Sequence, residues 1–386
     1  MPELHRVVLW SFLVAACSGS SPATSDAPTI PDAGAPDAAP APDAAPDAPT
    51  TACSEVELTA LEATMARTLD DAAIDPAVTT DPVFTVLLEA ADGRRFTHSH
   101  GASTATTRYE SASTSKWVTA VVLLDLVDRG VLMLETTAHQ LLPFWVEPTV
   151  DLRDLLSFTS GFVDEPRCIN SPTADFATCV EQIYTDNVAT AAAPGTQFAY
   201  SGTHMQVAGL MAVRAAAVTG WAELFTAFQR RTGLFPTAAY DLPSLTNPRL
   251  GGGMTWTAEE YLGFLRALYA GTVLTDATRT QLFANQRGTA TVVASPAYAS
   301  TGEDWAYGLG NWLECPTATA PNTYNCGEGH RNSSAGAYGA YPFIDFDHRY
   351  FGIVARQGGL GSGDEGVALA RTIADPARQW ATRTCR

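Results

Sequence analysis

Ser113-Thr114-Ser115-Lys116 places a hydroxyl and an amine three residues apart at the head of the apolar run Trp117 to Leu126. On a helix, positions three apart share a face. A helix starting near Ser113 would therefore bring the Lys116 amine toward the Ser113 hydroxyl. The unpaired N–H groups of its first turn favour developing negative charge. Free serine is a poor nucleophile at neutral pH, so such a pair works only if burial or nearby positive potential lets the lysine shed its proton. The competing reading of the same four residues is a surface Ser/Thr N-cap followed by a solvated lysine.

The elements that must position this pair are legible from periodicity. Leu58, Leu61, Met65 and Leu69 follow helical spacing, so Ser54 to about Leu69 reads as an amphipathic helix. Val83–Glu89 reads as a strand, turned by Asp92-Gly93 into a second strand, Arg94–Ser99. The long helix after Ser113 ends near Gly130, a good left-handed stop. Helical patterns follow over Asp151–Leu156, His204–Val218, Trp221–Thr232 and Thr257–Tyr269. Strands return over Ala306–Leu313, Tyr338–Asp345 and Tyr350–Gln357, and a last helix runs from about Val367 to Thr382. Two hairpin strands, a helical middle and a strand-rich end predict an α+β fold: one sheet interrupted by a helical insertion.

The first 52 residues read differently. Arg6, the apolar run Val7–Ala16 and the small residues before Cys17 resemble a bacterial lipoprotein signal over residues 1–16, which implies cleavage before Cys17 and lipidation there. The run is about half the ~20 residues that a spanning helix needs. Residues 17–52 then form a segment in which, after Cys17, there is no Lys, Arg or aromatic, and Pro-Asp-Ala recurs at 31, 36, 42 and 46. Such a composition cannot bury enough apolar surface to fold. It reads as a disordered tether able to reach roughly 100 Å at ~3.1 Å per residue. The expected domain is 53–386, exported to the cell envelope and held to a membrane through the lipid on Cys17.

The chain of 386 residues carries a formal charge of −18, and the five tether aspartates leave −13 for the rest. That balance repels phosphate backbones, and no basic patch interleaved with aromatics occurs, so nucleic acid is excluded as a partner. Seven cysteines leave six once Cys17 is assigned to lipid. Ten residues separate Cys168 from Cys179, and ten separate Cys315 from Cys326, so two local disulfides are the simplest pairing in an oxidising compartment. Cys53 with Cys385 would then join the ends; six reduced, buried cysteines are the other reading. No Cys-x-x-Cys spacing, Cys/His cluster or His-Glu-x-x-His set points to a metal, and no cofactor is expected.

Further signatures then fall in order along the chain: Leu155-Leu156-Ser157-Phe158-Thr159-Ser160-Gly161-Phe162, Phe198-Ala199-Tyr200-Ser201-Gly202, Asn247-Pro248-Arg249-Leu250-Gly251-Gly252-Gly253, Tyr307-Gly308-Leu309-Gly310 and Ser334-Ala335-Gly336-Ala337-Tyr338-Gly339. With Ser113 to Lys116 they resemble the serine beta-lactamase and penicillin-binding-protein-like superfamily, most of all its class C and esterase branch, from about Cys53 to the end. The resemblance implies a beta-lactamase-like antiparallel sheet flanked by N- and C-terminal helices, with an inserted helical subdomain. It implies Ser113 as acylated nucleophile, Lys116 as its proton acceptor and Tyr200 as a proton relay that later activates water. It also implies an oxyanion hole from the backbone N–H groups of Ser113 and Ala337, the latter on a strand after Gly336, with Gly336 letting substrate approach.

The departures bear on substrate. Family lactamases and transpeptidases carry Tyr-x-Asn, where this chain has Gly202, and Lys-Thr-Gly, where it has Ser334-Ala335-Gly336. A register shifted by three would put Arg331, beside His330, in the cationic place. Losing the amide and the cation weakens recognition of peptide-like carboxylates, since one charge-assisted contact is worth roughly 1.5–3 kcal/mol. An esterase or amidase acting on a small uncharged acyl compound is the first expectation. The alternatives are a D-amino-acid peptidase or weak beta-lactamase on cell-wall compounds, and a penicillin-binding or sensor domain without turnover. Gly361-Ser362-Gly363-Asp364-Glu365-Gly366 matches a dinucleotide fingerprint but has no parallel strand after it, so it reads as a turn. The absence of Gly-x-Ser-x-Gly argues against an α/β-hydrolase elbow. His204 and the tryptophans 117, 221, 256, 305 and 312 read as core.

Overall fold

A computed structural model describes residues 55–383. Cys17, Cys53 and Cys385, and with them the proposed lipidation site and the end-to-end disulfide, lie outside the described residues. The centre is a seven-stranded antiparallel sheet in the order Ala306–Tyr307, Trp312–Leu313, Arg331–Ser333, Tyr341–Asp345, Tyr350–Arg356, Phe84–Ala90, Arg95–His100. The hairpin turned by Asp92-Gly93 pairs Phe84 with His100 and Glu89 with Arg95. Phe84–Ala90 and Tyr350–Arg356 are buried along their whole length. Both faces of these two strands are therefore covered, which is why their sequences read as apolar runs rather than as an alternation.

The cover comes from both ends of the described chain and from its middle. Helix Glu55–Ala73 buries Met65 and Leu69 and packs on helix Ala374–Thr382 and on strand Arg95–His100. Helix Ala258–Ala270, opened by a capping box between Thr257 and Glu260, packs on strands Tyr350–Arg356 and Phe84–Ala90. The sheet is thus split by a helical region, and the chain adopts the expected α+β architecture, with helices from both ends of the described residues flanking one antiparallel sheet. At its heart helix Ser115–Asp128 is mainly apolar and buries twelve residues, with Thr203–Ala215, Trp221–Thr232 and Asp276–Phe283 packed against it.

Three elements differ from the sequence reading. The segment Ala306–Leu313 is two short strands, because Gly310 takes a left-handed φ of 78° and lies against the Lys116 carbonyl and Ala120. The last helix breaks at Ile373 into Glu365–Thr372 and Ala374–Thr382, where Pro376 has no N–H to bond back into the preceding turn. The strand expected from Tyr338 begins at Tyr341. Disulfides join Cys168 to Cys179 and Cys315 to Cys326, with Cα atoms 5.5 Å apart in each.

Candidate active site

The nucleophile candidate sits on a tight turn rather than inside an α-helix. A 3-10 turn, Ala112–Thr114, precedes the α-helix at Ser115, and Ala112 is held at φ 44°, a region that costs a non-glycine residue energy. Buried donors fix this turn: Trp256 Nε1 donates to Thr114 Oγ1 at 3.0 Å, and the Tyr261 hydroxyl donates to the Thr114 carbonyl at 2.8 Å. Lys116 is 4% exposed. Its Nζ donates to Ser113 Oγ at 2.9 Å and to the Gly251 carbonyl at 2.7 Å. Burial lowers its pKa to about 8, with the Glu165 carboxylate pulling up and the Arg249 guanidinium pushing down.

Tyr200 follows strand Gln197–Ala199, and its N–H donates to the Ala294 carbonyl at 3.0 Å. Its ring stacks on Trp312, centroids 5.0 Å apart at 15°, and meets Phe158 edge-on at 5.3 Å. Lys116 Nζ lies 4.7 Å from the ring centroid. Burial pushes the phenol well above its usual range and outweighs a hydrogen bond with Ser113, so it keeps its proton at neutral pH. Phe158, at φ 62°, accepts the Ala199 N–H and so fixes the strand that delivers Tyr200. His204 stays behind the wall. Its Nε2 is 2.9 Å from the Ala199 carbonyl and its Nδ1 3.0 Å from Ser160 Oγ, and burial lowers its pKa to about 4, so the ring is neutral.

The third wall is the hairpin after Arg331–Ser333. Its ladder runs on through Ser334 N–H to the Pro342 carbonyl and Gly336 N–H to the Ala340 carbonyl, and Ala337 lies in the turn, not on a strand. Ser334 Oγ donates to the Ser113 carbonyl at 3.1 Å. A Cβ on Gly336 would sit 2.7 Å from the Ser111 carbonyl oxygen, so the nucleophile turn itself demands this glycine. Among the described residues no acceptor pairs with the backbone N–H of Ser113 or of Ala337. Ser334 therefore occupies the place beside the nucleophile. Arg331 does not: it pairs with Asp345 at 2.9 Å and donates to the Tyr350 hydroxyl, while His330 pairs with Asp347. The Gly361 N–H donates to the Ala337 carbonyl, so the glycine-rich turn props this wall.

Two cavities meet at Ser113, Tyr200 and Ala337. One, of about 200 Å³, is the more polar of the two and includes Lys116, Glu165, Gly202, Arg249 and Gly251. The other, of about 270 Å³, is mainly apolar, with Ala297, Trp305, Trp312, Ala335, Gly336 and Val367, and Asp364 at its wall. Glu165, Arg249 and the cavity-lining Trp305 and Trp312 are the residues that sequence reasoning left without a role. Their only signals were Arg249 inside the glycine-rich motif and a tryptophan on each side of the Tyr307–Gly310 signature. A larger cavity of about 520 Å³ lies around His330, Arg331, Asp345 and Arg371, away from the nucleophile. Among the described residues no group of three His, Cys, Asp or Glu side chains is placed to hold a metal.

A family model described as Beta-lactamase matches residues 85–374. The chain is similar to a candidate beta-lactamase from Bacteroides dorei DSM 17855, at 27% identity and a TM-score of 0.66, over 82% of this chain and 98% of that one. It shares its fold with EstCE1, a hydrolase with promiscuous acyltransferase activity, at 16% identity and a TM-score of 0.62, over 85% and 99% of the two chains. It also shares its fold with the D-amino acid amidase of Ochrobactrum anthropi SV3, at 16% identity and a TM-score of 0.64, over 83% and 99%. No curated protein matches the sequence significantly.

Proposed function

Because the chain belongs to the beta-lactamase family, we propose that it is a serine hydrolase working through an acyl-enzyme on Ser113, an esterase or amidase on small acyl substrates. The observation that carries this reading is the 2.9 Å contact between Lys116 Nζ and Ser113 Oγ, made by an amine whose pKa burial brings to about 8. Neutral Lys116 takes the hydroxyl proton as Ser113 Oγ bonds to the acyl carbon. The resulting oxyanion falls to the unpaired N–H groups of Ser113 and Ala337. The protonated Tyr200 phenol hands a proton to the leaving group as its bond to carbon breaks, and recovers one from the water that later cleaves the ester. The esterase and amidase choice is supported by Gly202 and Ser334, which offer neither an amide nor a cation to a beta-lactam.

The same proposal places the enzyme outside the cytoplasm, lipidated at Cys17 and tethered by residues 17–52, with the two disulfides compatible with export. Labelling by a fluorophosphonate together with turnover of p-nitrophenyl butyrate, both lost in Ser113→Ala, is the expected result. Rapid nitrocefin hydrolysis with no ester turnover would replace this reading by the lactamase one. A stable adduct with no turnover of esters, β-lactams or D-peptides would leave only a sensor.

A further inference from the structure

Gly202 stands where family lactamases carry an amide side chain, and the space is not empty. The Glu165 carboxylate lies against it: Oε2 accepts the Gly202 N–H at 2.6 Å, and a Cβ on Gly202 would lie 3.2 Å from Oε2 and 3.4 Å from Oε1. Glu165 thereby lines the same polar cavity as Ser113, Lys116 and Tyr200. Among the described residues no cation lies within ion-pair distance of it, and no donor is paired with its Oε1. The guanidinium in that cavity, Arg249, is already engaged, with Nη1 on Asn170 Oδ1 at 2.6 Å and Nη2 on the Gly252 carbonyl at 3.1 Å.

A carboxylate differs from the amide it replaces in having no donor and a full negative charge. It offers nothing to a ligand carbonyl, repels a ligand carboxylate and attracts an N–H donor, best of all an ammonium. We propose that Glu165 is a substrate-binding residue that selects acyl donors carrying a protonated amine close to the acyl carbon. The amine enters the polar cavity while the remainder of the acyl group lies in the apolar one beside Trp305, Trp312 and Val367. This departs from the uncharged substrate that the sequence suggested, and it rests on the acyl-enzyme reading.

The test compares kcat/KM for phenylalanine p-nitroanilide, as both enantiomers, with 3-phenylpropionyl and N-acetyl-phenylalanine p-nitroanilides. The wild-type protein is expected to favour the free amine by about tenfold or more, and Glu165→Gln to bring the ratio to within about twofold, with Glu165→Asp restoring part of it. Equal rates on amine and des-amino substrates in the wild type would overturn the proposal whatever the variants do. So would a preference that survives in Glu165→Gln, which would assign the amine to Asp364 instead. Protection of Ser113 from a fluorophosphonate, by phenylalaninamide against 3-phenylpropionamide, separates the two claims. Amine-selective protection without turnover sinks the acyl-enzyme reading alone. Ester turnover without amine selectivity sinks only the role of Glu165.

Discussion

Lys116 Nζ stands 2.9 Å from Ser113 Oγ and holds a second bond, at 2.7 Å, to the carbonyl of Gly251. The second bond holds the amine in place beside the hydroxyl, so that once deprotonated it stands within hydrogen-bond reach of the Ser113 proton. Burial lowers the pKa to about 8, and only the neutral amine accepts the proton, so kcat/KM on an uncharged ester should rise with pH through about 8. Lys116→Arg keeps a cation that cannot deprotonate at any working pH. Initial rates from pH 6 to 10 should show the rise in the wild type, and the variant should lose about 10²–10⁴-fold.

Tyr200 enters the reaction as a phenol, not a phenolate, because burial raises its pKa beyond that of the solvent-exposed group. Tyr200→Phe keeps the stack on Trp312 and removes only the proton relay. Turnover of p-nitrophenyl butyrate should fall by about 10²–10⁴-fold, while thermal unfolding shifts by no more than about 1 kcal/mol. A burst of p-nitrophenol followed by a slow steady state would show that the acyl-enzyme accumulates, as loss of the water-activating group requires.

Ala297 is 8% exposed and lies on the wall of the apolar cavity of about 270 Å³. A phenyl ring grafted there occupies the volume that a longer acyl chain would use. In Ala297→Phe the ratio of kcat/KM for p-nitrophenyl hexanoate to that for the acetate should fall by about tenfold or more. An unchanged ratio would mean that the acyl chain leaves by the polar side.

How much of this was legible follows the length of chain over which each signal acts. The apolar run after Lys116 announces a buried helix, Asp92-Gly93 announces the hairpin, and the matched spacing of Cys168–Cys179 and Cys315–Cys326 announces the two loops. Helix Phe176–Asn187 has an equally readable signal: Asp175 caps it by accepting the Thr178 N–H, and Phe176, Val180 and Ile183 fall on its buried side. Glu165 and Trp312 carry no such local signature. Each reaches the site from a separate loop or strand, and an exposed glutamate beside a proline looks like any surface turn. The split of Ala306–Leu313 and the placing of Ala337 in a turn arise from packing against the nucleophile helix and turn, which no single window of sequence contains.

Arg356 is fully buried at the end of strand Tyr350–Arg356 and pairs with Glu365 at 2.7 Å, at the start of the helix that follows. Glu365 in turn accepts from the Thr79 and Thr80 hydroxyls, both at 2.8 Å, so one carboxylate ties the loop before the first strand to the C-terminal helices. Burial alone would raise its pKa, but the Thr80 and Thr79 hydrogen bonds and the Arg356 charge outweigh it and hold it below the usual value. Its folded pKa is therefore lower than its unfolded one. The stability it contributes is complete above the unfolded value, about 4.3, and is lost as pH falls through the folded value. Glu365→Gln should flatten the decline of Tm between about pH 5 and 3 while lowering Tm at pH 7. Arg356→Ala strands a partly buried carboxylate and should cost roughly 3–5 kcal/mol at pH 7, measured by urea unfolding of the full chain. An Arg356→Ala protein as stable as the wild type would show that the strand and the C-terminal helices are held by apolar packing alone.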